Sequence, residues 1–79
     1  MFRMLVKTEA VEVEDRVCRV RYFEQRTGRG QRRFSAEVLL DAEDRIILDD
    51  DSMVNLEART MRLVPATIYS RMLAKATAA

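Results

Sequence analysis

Two runs of alternating side chains flank the chain's two glycines, and this arrangement constrains the fold more than any other feature. In the first run, Cys18, Val20 and Tyr22 alternate with Val17, Arg19, Arg21 and Phe23. In the second, Phe34, Ala36, Val38 and Leu40 alternate with Arg33, Ser35, Glu37 and Leu39. A period of two in an apolar pattern marks a strand with one covered face. Between the runs lies the stretch EQRTGRGQRRF, Glu24 to Phe34, which holds both glycines.

The register of this hairpin follows from its side chains. A two-residue loop at Gly28-Arg29 would set Phe23 opposite Phe34 and bring the apolar face of one strand against the charged face of the other. A three-residue loop, Gly28-Arg29-Gly30, instead pairs Tyr22 with Ala36, Val20 with Val38 and Cys18 with Leu40 on the covered side. It also sets Arg21 opposite Glu37 outside, a complementary pair contributing about 0.2–1 kcal/mol. Loops of this length call for a left-handed residue at the last position, which Gly30 supplies without a Cβ clash. The glycines are thus explained as turn residues, and neither a Walker-type nor a dinucleotide-binding glycine pattern is present.

Upstream, Phe2, Met4, Val6 and Thr8 share one face of a first strand, while Val11 and Val13 alternate in the opposite phase. One extra residue near Glu9 or Ala10, a β-bulge, restores the phase. Glu14-Asp15 reads as a tight turn. A short edge strand, Ile46 to Leu48, follows the turn at Asp41 to Asp44. From Ser52 the spacing changes: Met53, Leu56, Thr60 and Leu63 fit a helical stripe capped by Asp51 or Ser52. Pro65 disfavours helical geometry at Val64 and should divide the segment, so a second helix is expected to present Ile68, Met72 and Leu73.

The expected fold is therefore α+β: a four-stranded antiparallel β-meander in order 1-2-3-4, with two C-terminal helices packed on one face. It would span residues 1–75 as a single domain, with 76–79 as a frayed tail. The expected core comprises Met4, Val6, Val20, Tyr22, Phe34, Ala36, Val38, Leu40, Ile46, Leu48, Leu56, Leu63, Ile68 and Met72. A chain of 79 residues buries about 60% of its unfolded surface, so this core is thin and pairing with another surface would help it.

Composition removes much catalytic chemistry. The chain has no histidine, the side chain that most readily exchanges protons near neutral pH. Its single cysteine, Cys18, falls on the covered face, where a thiol stays protonated and packs as a small hydrophobe. The lone thiol, and an opening MFRMLVKTEA with a charge at its third residue and no long apolar stretch, suit a reduced, cytoplasmic protein, and no apolar run approaches a membrane span of about 20 residues. Asp49-Asp50-Asp51 fails as a calcium loop, because Val54 stands where glycine is needed and Thr60 where an acid is needed. Carboxylates there serve the start of a helix, each contributing about 0.3–1 kcal/mol. No cofactor, metal or catalytic residue is expected.

Two binding surfaces remain. Leu5, Val17, Phe23, Leu39 and Ile47 would share the sheet face opposite the helices, forming an apolar patch for a protein partner or a second copy of the chain. Alternatively, Arg19, Arg21, Arg26, Arg29, Arg32 and Arg33, with Phe23 for stacking, would make an anion or nucleic-acid surface. Net charge is only +1, so such binding would have to be local to the hairpin. Four arginines each neutralising one phosphate would give a log-affinity slope near −3.6 against log salt. The residue pattern favours a small non-catalytic module that binds protein, self-associating through the outer sheet face, with nucleic acid as the alternative ligand.

Overall fold

In a computed structural model, which describes residues 3–77, four strands and one helix follow in order: β1 (Arg3–Val13), β2 (Arg16–Arg26), β3 (Arg32–Leu39), β4 (Arg45–Asp50) and α1 (Met53–Thr77). The strands form one antiparallel sheet in order β1-β2-β3-β4, and α1 packs across one face. Tyr22 pairs with Ala36, Val20 with Val38 and Arg21 with Glu37, the register required by the side-chain pattern. Thr27 N–H donates to the Gln31 carbonyl at 2.9 Å, closing the chain around Gly28-Arg29-Gly30. Gly30 has φ 79°, the left-handed geometry that favours glycine.

The bulge in β1 lies at Val6, between Leu5 and Lys7, and not at Glu9 or Ala10. This earlier position has a consequence for the core. From Lys7 onward the odd-numbered residues face the helix, so Val11 and Val13 are buried, while Met4 and Val6 are 57% and 46% exposed. The expectation that Met4 and Val6 belong to the core is therefore corrected. Width contributes as well: a four-stranded sheet is about 19 Å across and a helix with its side chains about 10–12 Å, so one helix leaves the first residues of β1 uncovered. Phe2 lies outside the described residues.

The expected pair of helices is a single one. α1 runs unbroken through Pro65, which lacks the N–H that would bond to the Met61 carbonyl. Tertiary packing overrides the break: Leu56, Thr60 and Val64 are fully buried and Ile68 nearly so. These four residues are spaced by four and track obliquely round the helix as it crosses the twisted sheet. Ending the helix at Val64 would pull Ile68 out of that line. The same drift corrects two more core assignments, since Leu63 is 39% and Met72 40% exposed. Ala76 and Thr77, expected in a frayed tail, are helical; the rest of that tail lies outside the described residues.

Ser52 is the N-cap. Its Oγ accepts from Asn55 N–H at 3.3 Å, and its carbonyl accepts from Leu56 N–H at 2.9 Å. The buried cluster comprises Val11, Val13, Cys18, Val20, Tyr22, Ala36, Val38, Leu56, Val64 and Ile68, with Phe34, Leu40, Ile46, Leu48 and Met53 packed at its margin. No helix among the described residues is long and apolar enough to cross a membrane.

Candidate functional site

The outer sheet face carries both groups of residues singled out by the sequence, but not as a continuous patch. Phe23 is buried there, beneath Arg3, whose guanidinium carbon lies 3.9 Å from the ring centroid, and Arg21, at 5.8 Å. Cation–π stacking thus covers the aromatic that either surface would have used. Leu5, Val17 and Ile47 are exposed, and Leu39 is half-buried. Their cross-strand partners are Phe23, Glu12 and Glu37 for the first three, and Arg19 and Arg45 for Leu39, so charged side chains interrupt the apolar ones.

At the centre of that face Glu37 is nearly buried and accepts a hydrogen bond from Arg21, with Arg45 Nη1 3.6 Å from its other oxygen. The Arg21 hydrogen bond, opposed by desolvation and assisted by the Arg21 and Arg45 charges, holds the Glu37 carboxyl below its ordinary 4.5. The Arg21 Nε is buried and has no hydrogen-bond partner among the described residues.

The arginines of the hairpin divide into committed and free. Arg32 pairs with Glu24 and stacks 5.5 Å from the Phe34 centroid, and Arg33 Nη2 donates to Asp49 Oδ2 at 2.6 Å. Arg26 and Arg29 are exposed at the tip, where Thr27 Oγ1 orders the loop by accepting from Arg29 N–H at 3.3 Å and Gln31 N–H at 3.2 Å. Arg19 is exposed on β2. None of these three arginines has a carboxylate partner among the described residues. Arg19 lies seven residues from Arg26 along an extended strand, roughly 23 Å away, well beyond the ~8 Å screening length at physiological ionic strength.

The helix presents a surface that sequence reasoning missed. Val54 is 77% exposed, Met61 52%, Tyr69 47% and Leu73 68%, joining Met72, exposed Ala58 and Ala76, and half-buried Pro65. Val54, Ala58, Met61, Pro65, Met72 and Ala76 recur at steps of four and three, with Tyr69 beside the gap. At about 100° per residue they fall within one narrow seam parallel to the helix axis. The signal was present in the sequence, but reading Pro65 as a break cut the seam in two and left each half too short to notice.

Ion pairs hold the helix so that this seam stays uncovered. Lys7 Nζ lies 2.7 Å from a Glu57 oxygen and 2.9 Å from one of Glu9, and its pKa is raised, the Glu57 hydrogen bond being the larger cause. Arg59 Nη1 donates to the Asp49 carbonyl at 2.8 Å and to Asp50 Oδ2 at 3.0 Å. Arg71 Nε donates to Asp44 Oδ2 at 2.9 Å, and the Tyr69 hydroxyl donates to Glu14. Among the charged residues of α1, Glu57, Arg59 and Arg71 are thereby tied to the sheet. Arg62 and Lys75 have no carboxylate partner among the described residues.

Small-molecule chemistry has less to work with. A cleft of about 260 Å³ lies where the end of α1 passes the β3–β4 turn, lined by Arg16, Leu40, Asp41, Asp44, Ile68 and Arg71 among others. It falls below the usual 300–1,000 Å³ of ligand pockets, and its acids and bases offset one another; a larger depression of about 390 Å³, beside Val17, Arg19, Leu39 and Ala42, is a shallow surface open to solvent and not an enclosed pocket. Cys18 is 2% exposed; burial pushes its thiol pKa up, against a smaller opposing effect of Arg16. Among the described residues no group of three or more His, Cys, Asp or Glu side chains is arranged to hold a metal ion. No family model, curated protein or solved structure matches the chain.

Proposed function

We propose that the protein is a small non-catalytic interaction module that binds protein through the uncovered seam of α1. The observation carrying this reading is that Val54, Met61, Tyr69, Met72 and Leu73 are each at least 40% exposed on one helix. A domain this thin cannot readily leave so many large apolar groups in water without a surface to receive them. The apolar surface is thus assigned to the helix in preference to Leu5, Val17, Phe23, Leu39 and Ile47 of the outer sheet face. Phe23 is buried there, and charged neighbours separate the others. The absence of histidine and the burial of the only thiol support a non-catalytic role.

Immobilised chain, challenged with nuclease-treated extract, tests the reading. Introducing Met61→Glu together with Met72→Glu should abolish retention of bound protein, whereas Val17→Glu together with Ile47→Glu should leave it intact. Loss of binding in the sheet-face variant alone would return the interface to the outer face.

The alternative, nucleic-acid binding, rests on the unpaired Arg19, Arg26 and Arg29, because Arg21, Arg32 and Arg33 are held by Glu37, Glu24 and Asp49. Three neutralised phosphates would give a slope near −2.7 and about a forty-fold loss of affinity between 50 and 200 mM salt. Nucleic acid retained with that slope, and lost on Arg26→Ala with Arg29→Ala, would favour this second reading over the first.

A further inference from the structure

Resting on that reading, we infer that the partner seated on the seam is a second copy of the chain, with the two α1 helices packed antiparallel about a two-fold axis at Pro65.

The geometry is self-complementary. Pro65 is the midpoint of α1, so an axis there overlaps the two helices along their whole length. A two-fold pairing then sets Ala58 opposite Met72 of the other copy, a small residue receiving a large one, and does so twice by symmetry. Met61 meets Tyr69, Val54 meets Ala76, and the two Pro65 rings approach on the axis. The step of four and three along the seam is the spacing at which two helices keep contact over several turns.

Charge gives the same orientation. The start of α1 is preceded by Asp49, Asp50 and Asp51, of which the first two are paired with Arg33 and Arg59, while Asp51 is exposed without a basic partner among the described residues. The far end carries Lys75, also without a carboxylate partner among them. An antiparallel pair brings Lys75 of each copy within about 6 Å, along the axis, of Asp51 of the other. It also sets opposed helix dipoles side by side. A parallel pair would instead place Arg62 beside Arg62 and Lys75 beside Lys75.

Area is sufficient. The exposed apolar side chains of the seam and its margin present on the order of 600 Å² per copy, about 1,200 Å² for the pair, the lower bound for a specific interface. With only a few large side chains to anchor it and at the small end of specific interfaces, the pair is expected to dissociate at about micromolar concentration, the weak end of the range for specific interfaces. Pairing also accounts for the last two turns of α1: residues 69 to 76 are all exposed, and a helical segment with one bare side gains little from propensity alone.

Light scattering on the full chain across a concentration series should show a monomer-to-dimer transition in the micromolar range. Met61→Glu with Met72→Glu should weaken it at least thirty-fold without loss of helical signal. Disulfide trapping in a Cys18→Ala background reads the orientation independently. Pro65→Cys should cross-link to its own copy. Ala58→Cys and Met72→Cys should cross-link when mixed and not singly, because like residues would lie about 21 Å apart and a disulfide needs Cα atoms within about 7 Å. Self-linking of Ala58→Cys, or a monomer at millimolar concentration, overturns the inference. A chain that stays monomeric yet loses a protein partner on Met61→Glu would overturn only the self-pairing and leave the docking surface in place.

Discussion

Pro65→Ala should stabilise the protein, and the size of the gain follows from the position of the ring. Proline in a helix interior is about 3 kcal/mol less favourable than alanine, because the Met61 carbonyl loses its donor and the ring crowds that turn. One term opposes the gain, since the unfolded-chain entropy is already contained in that difference: removing the ring takes away two half-buried carbons, a loss of about 0.8 kcal/mol at ~0.8 kcal/mol per fully buried methylene. The net expectation is about 2 kcal/mol of added stability. At about 4–8 °C per kcal/mol for a domain of this size, the thermal midpoint should rise by about 8–16 °C. Thermal unfolding followed by far-ultraviolet circular dichroism, at one fixed protein concentration, measures it; the concentration matters because pairing would itself raise the midpoint. An unchanged or lowered midpoint would refute the argument, since it would mean that the segment around Val64 and Ile68 is not held as continuous helix or that the ring packs better than its exposure indicates.

The two glycines should separate cleanly: Gly30→Ala, at φ 79°, should cost about 1–2 kcal/mol, whereas Gly28→Ala, which lacks that geometry and meets no atom within 4 Å, should be neutral or stabilising by up to about 1 kcal/mol in chemical denaturation. Glu37→Gln should narrow the acid sensitivity of folding. The folded carboxyl titrates below 4.5, so its stabilisation is full above the unfolded value and lost as pH falls through the folded one; the gap between parent and variant should therefore close below pH 4.5 in acid unfolding. A gap that widens in acid would mean that Arg21 does not hold the charged form. Cys18 should alkylate far more slowly in the native protein than in denaturant, because it is buried and its thiolate is disfavoured; equal rates would place the thiol at the surface.

The sheet was legible because its signals are local. Alternation over Val17–Gln25 and Arg33–Leu40, with glycine where a left-handed residue is required, fixes strand, face and register together: a slip of one residue would turn Val20 and Tyr22 into water. The Arg21–Glu37 pair and the buried Cys18 follow from that register. The candidate site was less legible. The arginine content of the hairpin is plain in the sequence, but whether each guanidinium is free depends on carboxylates up to 16 residues away, such as Asp49 for Arg33. Phe23 reads as an exposed ring until the fold brings Arg3 across it.

By itself, then, the sequence determined the antiparallel meander, its hairpin register, a helix capped at Asp51 or Ser52 and the lack of a histidine or exposed thiol, all matters of residue type and near-neighbour spacing. Tertiary structure decided where β1 bulges, whether Pro65 ends a helix and which apolar residues of α1 remain in water. The reason is one of energies: a proline break costs about 3 kcal/mol locally, and keeping Val64 and Ile68 in one buried line against the sheet outweighs it, while a bulge at Val6 sets Lys7 on the helix side of the sheet, 2.7 Å from Glu57.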